Sequence, residues 1–149
     1  MAYRDPATAA APVPPAGERL HELPAAERLA LGRAGLRVFF AIAEAWQLPI
    51  ATRRVLLGDI AESTYHKWRG GRVGEVGRDL LERLSLLLGI HKALVLLFGE
   101  GDTGLKWLQS PNTDATFAGR SPLERMGDGS IDDLYAVRRY LDAWRGGWP

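Results

Sequence analysis

Apolar residues recur at helical spacing over most of the chain. The alternation of apolar and polar positions that marks a half-buried strand is almost absent. Leu36, Phe39, Phe40, Ala43 and Trp46 follow steps of three and four, and Pro49 closes the run. A short helix is predicted over ATRRVLLG, ended by Gly58, and another over STYHKWR, ended by Gly70 and Gly71. RDLLERLSLLLG puts Leu80, Leu84, Leu87 and Leu88 on one face with Gly89 as a stop, and IHKALVLLFG then reads as a separate buried helix stopped by Gly99. Beyond it come LKWLQ and the turn-rich PNTDATFAG. In SPLERM, Ser121 suits a helix cap, Pro122 the first helical position and Glu124 the third position of a capping box. Ser130 opens a last helix, with Asp132 and Asp133 at its positive end. Ile131, Leu134, Val137, Leu141 and Trp144 make the inward stripe of that helix, and Gly146-Gly147 ends it. The expected fold class is all-α.

Punctuation along the chain suggests its organisation. Four of the nine prolines fall in the first fifteen residues, among alanines, so residues 1–17 read as a disordered leader. The run GEGDTG over 99–104 has three glycines and two acids and reads as a boundary. Two parts follow, residues 18–99 and residues 100–149. With 149 residues there is room for one ordinary domain or two small ones.

Composition narrows the chemistry. The chain has no cysteine, which excludes a disulfide scaffold, a thiolate metal site and a cysteine nucleophile. His21, His66 and His91 lack metal-ligand spacing, so no metal is expected. Asp132 and Asp133 are adjacent on a helix and point about 100° apart, which suits a capping role better than paired acid–base work. Ser121 and His91 have no identifiable orienting third residue. The glycines at 70, 71, 74 and 77 lack the Lys-Ser/Thr of a phosphate loop. No enzyme activity and no cofactor are expected. No apolar run nears the eighteen or so residues of a membrane span, and the N-terminus lacks signal-peptide order, so a cytoplasmic protein is expected.

The near-neutral total charge of +1 hides a division. Residues 51–78 carry six basic against three acidic side chains, a net +3, whereas residues 100–149 carry six against eight, a net −2. A basic middle and an acidic tail suggest two different partners.

The middle has the grammar of a helix-turn-helix: a short helix, Gly58 at the turn, and a second helix with a polar outer face. Ile60, Tyr65 and Trp68 are expected to face inward. Ser63, Thr64, His66, Lys67, Arg69 and Arg72 are left on or beside the exposed face, and Arg53 and Arg54 add charge from the first helix. Small hydroxyls at such a helix start reach phosphates or base edges, and the cations neutralise phosphates or donate to guanine. GDIAESTYHKW has one residue more between the turn glycine and the Ser-Thr pair than the usual spacing.

STYHKWRGG resembles the second helix of Xre-type antitoxin helix-turn-helix domains. Trp107-Leu108, Pro111-Asn112 and Gly119-Arg120-Ser121-Pro122-Leu123, in that order before a final helix, resemble the toxin-binding domain of Xre/MbcA/ParS antitoxins. The resemblance spans roughly residues 30–149. It implies a two-part antitoxin, whose first half dimerises and binds operator DNA of its own operon. Its second half would hold a RES-domain toxin, an NAD-consuming enzyme, and obstruct the active-site entrance. The ending Arg145-Gly146-Gly147-Trp148-Pro149 departs from the family's Gly-X-Tyr-like ending. The residues expected to meet the toxin are Tyr135, Arg138, Arg139, Tyr140, Asp142, Arg145 and Trp148, since exposed tyrosine, tryptophan and arginine favour interface hot spots. A plain repressor with a C-terminal dimerisation or effector module is the alternative. A protein-binding module without DNA contact is the second.

Overall fold

The leucine-rich run organises the molecule. In the computed structural model, which describes residues 22–146, Arg78–Phe98 is one unbroken helix of 21 residues. Seven helices are described: α1 (Ala25–Ala45), α2 (Ile50–Leu56), α3 (Glu62–Arg69), α4 (Arg78–Phe98), α5 (Thr103–Gln109), α6 (Pro122–Met126) and α7 (Ile131–Gly146). No strand occurs among the described residues, so the fold is all-α. The leader read over residues 1–17 and Trp148 lie outside the described residues. No described helix is long and apolar enough to cross a membrane, and no group of three or more potential metal ligands occurs among the described residues.

α4 is apolar nearly all round because it is covered on both sides, by α1 and by α7. Leu80, Leu84, Leu87 and Ile90 are buried, as are Leu36, Phe39 and Ile42 of α1 and Leu134, Val137 and Leu141 of α7. One continuous core results.

Gly89 does not stop a helix. It sits buried in the middle of α4, where a β-carbon would overlap the guanidinium of Arg138 on α7. A helical glycine costs about 1 kcal/mol of propensity, and here it leaves room for a close helix–helix approach. A stop needs a left-handed residue and freed carbonyls; neither arises while the ladder continues to Phe98. The true end is Gly99, at φ +74°.

Other boundaries follow their local signals. α1 ends in a Schellman-type turn: Gln47 adopts φ +57° and the Leu48 amide donates to the Ala43 carbonyl at 3.0 Å. Pro49 then starts α2. At α6 the predicted capping box is complete, with the Glu124 amide donating to Ser121 Oγ at 3.0 Å and the Ser121 amide donating to Glu124 Oε1 at 3.3 Å. Ser130 Oγ accepts from the Asp132 amide at 3.2 Å at the start of α7.

Buried Arg83 of α4 ties the end of α2 to the segment before α7. Its guanidinium donates to Asp79 Oδ2 at 2.9 Å, to the Leu56 carbonyl at the end of α2, and to the Gly129 carbonyl before α7 at 3.0 Å.

Candidate nucleic-acid and partner interfaces

The α2–α3 turn is built for a sharp reversal. Gly58 (φ +105°) and Asp59 (φ +57°) both lie in the left-handed region, and Asp79 and Arg83 crowd the glycine. Arg54 staples the turn, its Nε donating to the Ile60 carbonyl at 2.8 Å. On α3, Tyr65 is buried against Phe40, and Trp68 and Ile60 pack partly buried on the core, as the inward assignment expected. Ser63, His66, Lys67, Arg69 and Arg72 are exposed and Thr64 is half-buried. His66 Nε2 lies 3.6 Å from Glu62 Oε1. The Arg69 guanidinium sits over the Phe40 ring, 5.2 Å from its centroid, which fixes the cation on the flank of α3 that faces α1.

Arg53 departs from the sequence expectation. It is buried at 8% exposure and points away from the α3 surface. Nε donates to the Leu48 carbonyl at 2.9 Å, and Nη1 donates to Glu44 Oε1 at 3.0 Å and to the Tyr65 hydroxyl at 3.3 Å. Burial works against its charge, but the hydrogen bonds with Tyr65 and Glu44 prevail and hold its pKa above the usual arginine value. Its cation is spent on joining α1, α2 and α3, so it belongs to the scaffold. Arg54, half-buried and engaged with the turn, is likewise first a structural residue.

The C-terminal part is held by a closed loop between α5 and α6. The Asn112 amide donates to the Arg120 carbonyl at 3.0 Å, and the Gly119 amide donates back to the Asn112 carbonyl at 2.8 Å. Pro111-Asn112 and Gly119-Arg120 therefore form the two sides of one loop neck. Inside it, Asn112 Oδ1 accepts from the Asp114 amide and Asp114 Oδ1 from the Thr116 amide, both side-chain turns. Arg125 of α6 donates to the Thr116 carbonyl. Arg120 grips Asp128 with two nitrogens at 2.6 and 2.7 Å.

That fork, chiefly through its hydrogen bonds, holds the Asp128 carboxyl below the ordinary carboxylate range. A depressed folded-state pKa contributes stability that is present above the unfolded value, near 3.9, and is lost as pH falls through the folded one. Asp128→Asn is therefore expected to lower stability slightly at neutral pH and to match the wild type once the carboxyl is protonated. Thermal melts between about pH 2 and pH 7 check this through the difference between the two proteins.

α7 carries its expected partner-binding residues on two separate flanks. Arg138 and Asp142 pair at 2.9 Å, Arg145 approaches Asp142 at 3.7 Å, and Arg139 lies near the Tyr135 ring. Tyr135, Arg138, Asp142 and Arg145 are each half-buried, and Arg139 is exposed. Tyr140 lies on the opposite flank, stacked on Trp107 at 5.8 Å and edge-on to Phe117 at 5.0 Å. The structure thus brings the charged residues together and parts them from Tyr140.

Trp144 corrects a second expectation. Placed by periodicity in the core, it is 39% exposed. It lies in the last turns of α7, against Phe98, Trp107 and Tyr140 at centroid distances of 6.1, 6.4 and 5.7 Å. Phe98, Trp107, Tyr140 and Trp144 form a half-covered aromatic surface at one end of the bundle. Periodicity marked Trp144 as inward, but it could not show that the covering helices end before it.

Phe98 and Trp107 complete this surface; Trp107 stands in the Trp107-Leu108 motif, but nothing in the sequence places either residue beside Tyr140 and Trp144. An aromatic at the last position of α4 and another in α5 fall beside α7 only through the tertiary fold.

Residues 25–89 match the antitoxin Xre-like helix-turn-helix domain, and residues 93–147 match the antitoxin Xre/MbcA/ParS C-terminal toxin-binding domain. The two matches adjoin within α4. The chain is also 42% identical over 114 residues to the protein y4oB of Sinorhizobium fredii, covering 76% of this chain and 86% of that relative. The chain belongs to the Xre/MbcA/ParS antitoxin family, whose members join an Xre-like helix-turn-helix to a toxin-binding domain and are not enzymes.

Proposed function

We propose that the toxin is a RES-domain, NAD-consuming protein, that the α7 end of the molecule occludes its substrate entrance, and that the α3 surface represses the chain's own operon. The aromatic surface carries the first part of this reading. Four aromatic side chains lie half-covered within the stretch that matches a toxin-binding domain, and such residues supply rigid contact area at low entropic cost. The charged flank with Tyr135, Arg138, Arg139, Asp142 and Arg145 lies on the other side of α7 and is proposed as a second, polar contact area, and Trp148 follows α7 in the sequence. The organisation proposed is a leader over 1–17, a DNA-binding part over 18–99 and a toxin-binding part over 100–149, with cytoplasmic residence.

For the DNA part, Ser63, Thr64, His66 and Lys67 are the proposed groove-reading residues, with Arg69 and Arg72 on phosphates. A homodimer is proposed because one short helix reads too few bases. Two recognition helices about 34 Å apart reach successive major grooves. Lys67→Ala and Arg69→Ala are each expected to weaken binding about tenfold to a duplex taken from immediately upstream of the gene, with a shallower salt dependence. Fluorescence anisotropy at several salt concentrations checks this, and unchanged binding of both variants removes α3 as the DNA-reading helix. Co-expression with the adjacent open reading frame tests the toxin identity: a stable complex with a RES-domain protein is expected.

A further inference from the structure

Beside α3 lies a groove of about 220 Å³ whose walls come from α1 and the segment after α3. Arg33, Arg37 and Arg69 line it, with Phe40 and Trp68 as its apolar floor. Arg33 and Arg37 are one helical turn apart and both are exposed. Neither forms an ion pair with any described carboxylate, nor does Arg69. The carboxylate at the start of α3, Glu62, faces His66.

Two of the three cations are pre-positioned. Arg69 is held over the Phe40 ring, and one Arg33 nitrogen donates to the Val73 carbonyl at 3.3 Å, which anchors that guanidinium at the groove wall. Three guanidinium groups converging on a small concavity with no internal anion suit a doubly coordinated oxyanion such as a phosphodiester. The groove is continuous with α3 through Arg69 and Trp68.

We infer that this groove is a phosphate clamp, in which Arg33 and Arg37 of α1 grip one backbone phosphodiester of the duplex whose bases α3 reads. The inference rests on the DNA-binding reading above. It adds α1 to the interface and assigns it to positioning rather than to sequence choice, since a phosphate carries no base identity. An acidic peptide would suit the same cations, but continuity with α3 favours the nucleic acid.

The test is anisotropy with two duplexes of equal length, one from immediately upstream of the gene and one unrelated, from 50 to 200 mM salt. The Arg33→Ala/Arg37→Ala double variant is expected to lose about three- to tenfold in affinity on both duplexes alike, with the salt slope reduced by about one. Arg37→Ala alone guards against an effect on folding, because Arg37 makes no hydrogen bond or ion pair among the described residues. It is expected to show part of the same loss at an unchanged melting temperature. Lys67→Ala is the control. If it weakens binding while the double variant leaves affinity and slope unchanged, the clamp is wrong and the α3 reading stands. If the wild type binds neither duplex, both are wrong. A double variant that keeps DNA affinity but loses the co-expressed toxin overturns the clamp in favour of an acidic protein surface.

Discussion

Arg53→Met is expected to destabilise the fold by about 2–4 kcal/mol and to lower the melting temperature by roughly 5–15 °C. The side chain is of similar length, so the loss comes from hydrogen bonds rather than volume. In the native protein the guanidinium satisfies the Leu48 carbonyl at the α1–α2 junction and the Tyr65 hydroxyl inside α3, while Glu44 supplies the balancing charge from α1. Removing it leaves a buried carbonyl and hydroxyl with one partner fewer, which costs their desolvation outright. Glu44 is exposed and returns to water at little cost. If Arg53 instead worked as a DNA contact, the variant would melt normally and bind DNA weakly. Thermal melts and anisotropy on the same preparation separate these outcomes, and DNA affinity per folded molecule is expected to change far less than stability.

Trp144→Ala is expected to weaken the toxin complex by at least 2 kcal/mol, roughly thirtyfold, while leaving DNA binding unchanged. The indole is rigid, has part of its surface free, and rests on Phe98, Trp107 and Tyr140, so little ordering is needed when a partner covers it. Its own contribution to the fold is limited because it caps the aromatic group from outside. Trp107→Ala makes the contrast. Trp107 touches four other rings, Phe98, Phe117, Tyr140 and Trp144, so its loss should cost both stability and toxin affinity. Isothermal titration against the co-purified toxin, with melting temperatures as the control, reads both effects.

These two tryptophans and Arg53 also mark the limits of what the sequence discloses. Elements whose signals are local were legible: the Ser121–Glu124 capping box, the Gly58 turn, and the stripe of Leu134, Val137 and Leu141 on α7. Signals that depend on a distant neighbour were not. Gly89 reads as a helix stop until Arg138, 49 positions later, is found lying against it. Arg53 counts toward a basic patch by composition, yet it stands on the same stripe as Leu56 and Leu57, at spacings of three and four. That register was the available clue that its side chain turns inward. Trp144 shows the converse, an inward register at a helix end with no cover left. Of the DNA-facing candidates, Ser63, His66, Lys67, Arg69 and Arg72 are on the surface, whereas Arg33 and Arg37 of α1 lie outside the helix-turn-helix motif and carry no local signal of a groove.

We propose that this antitoxin silences an NAD-consuming enzyme through the aromatic end of α7 and not through chemistry of its own. The measurement is NAD consumption by the protein encoded beside it, proposed to be a RES-domain toxin, titrated with wild-type chain and with Trp144→Ala. Near-complete inhibition by the wild type is expected at stoichiometric amounts, with a curve displaced about thirtyfold for the variant. Equal inhibition by both proteins, or NAD consumption untouched by the wild type, contradicts it.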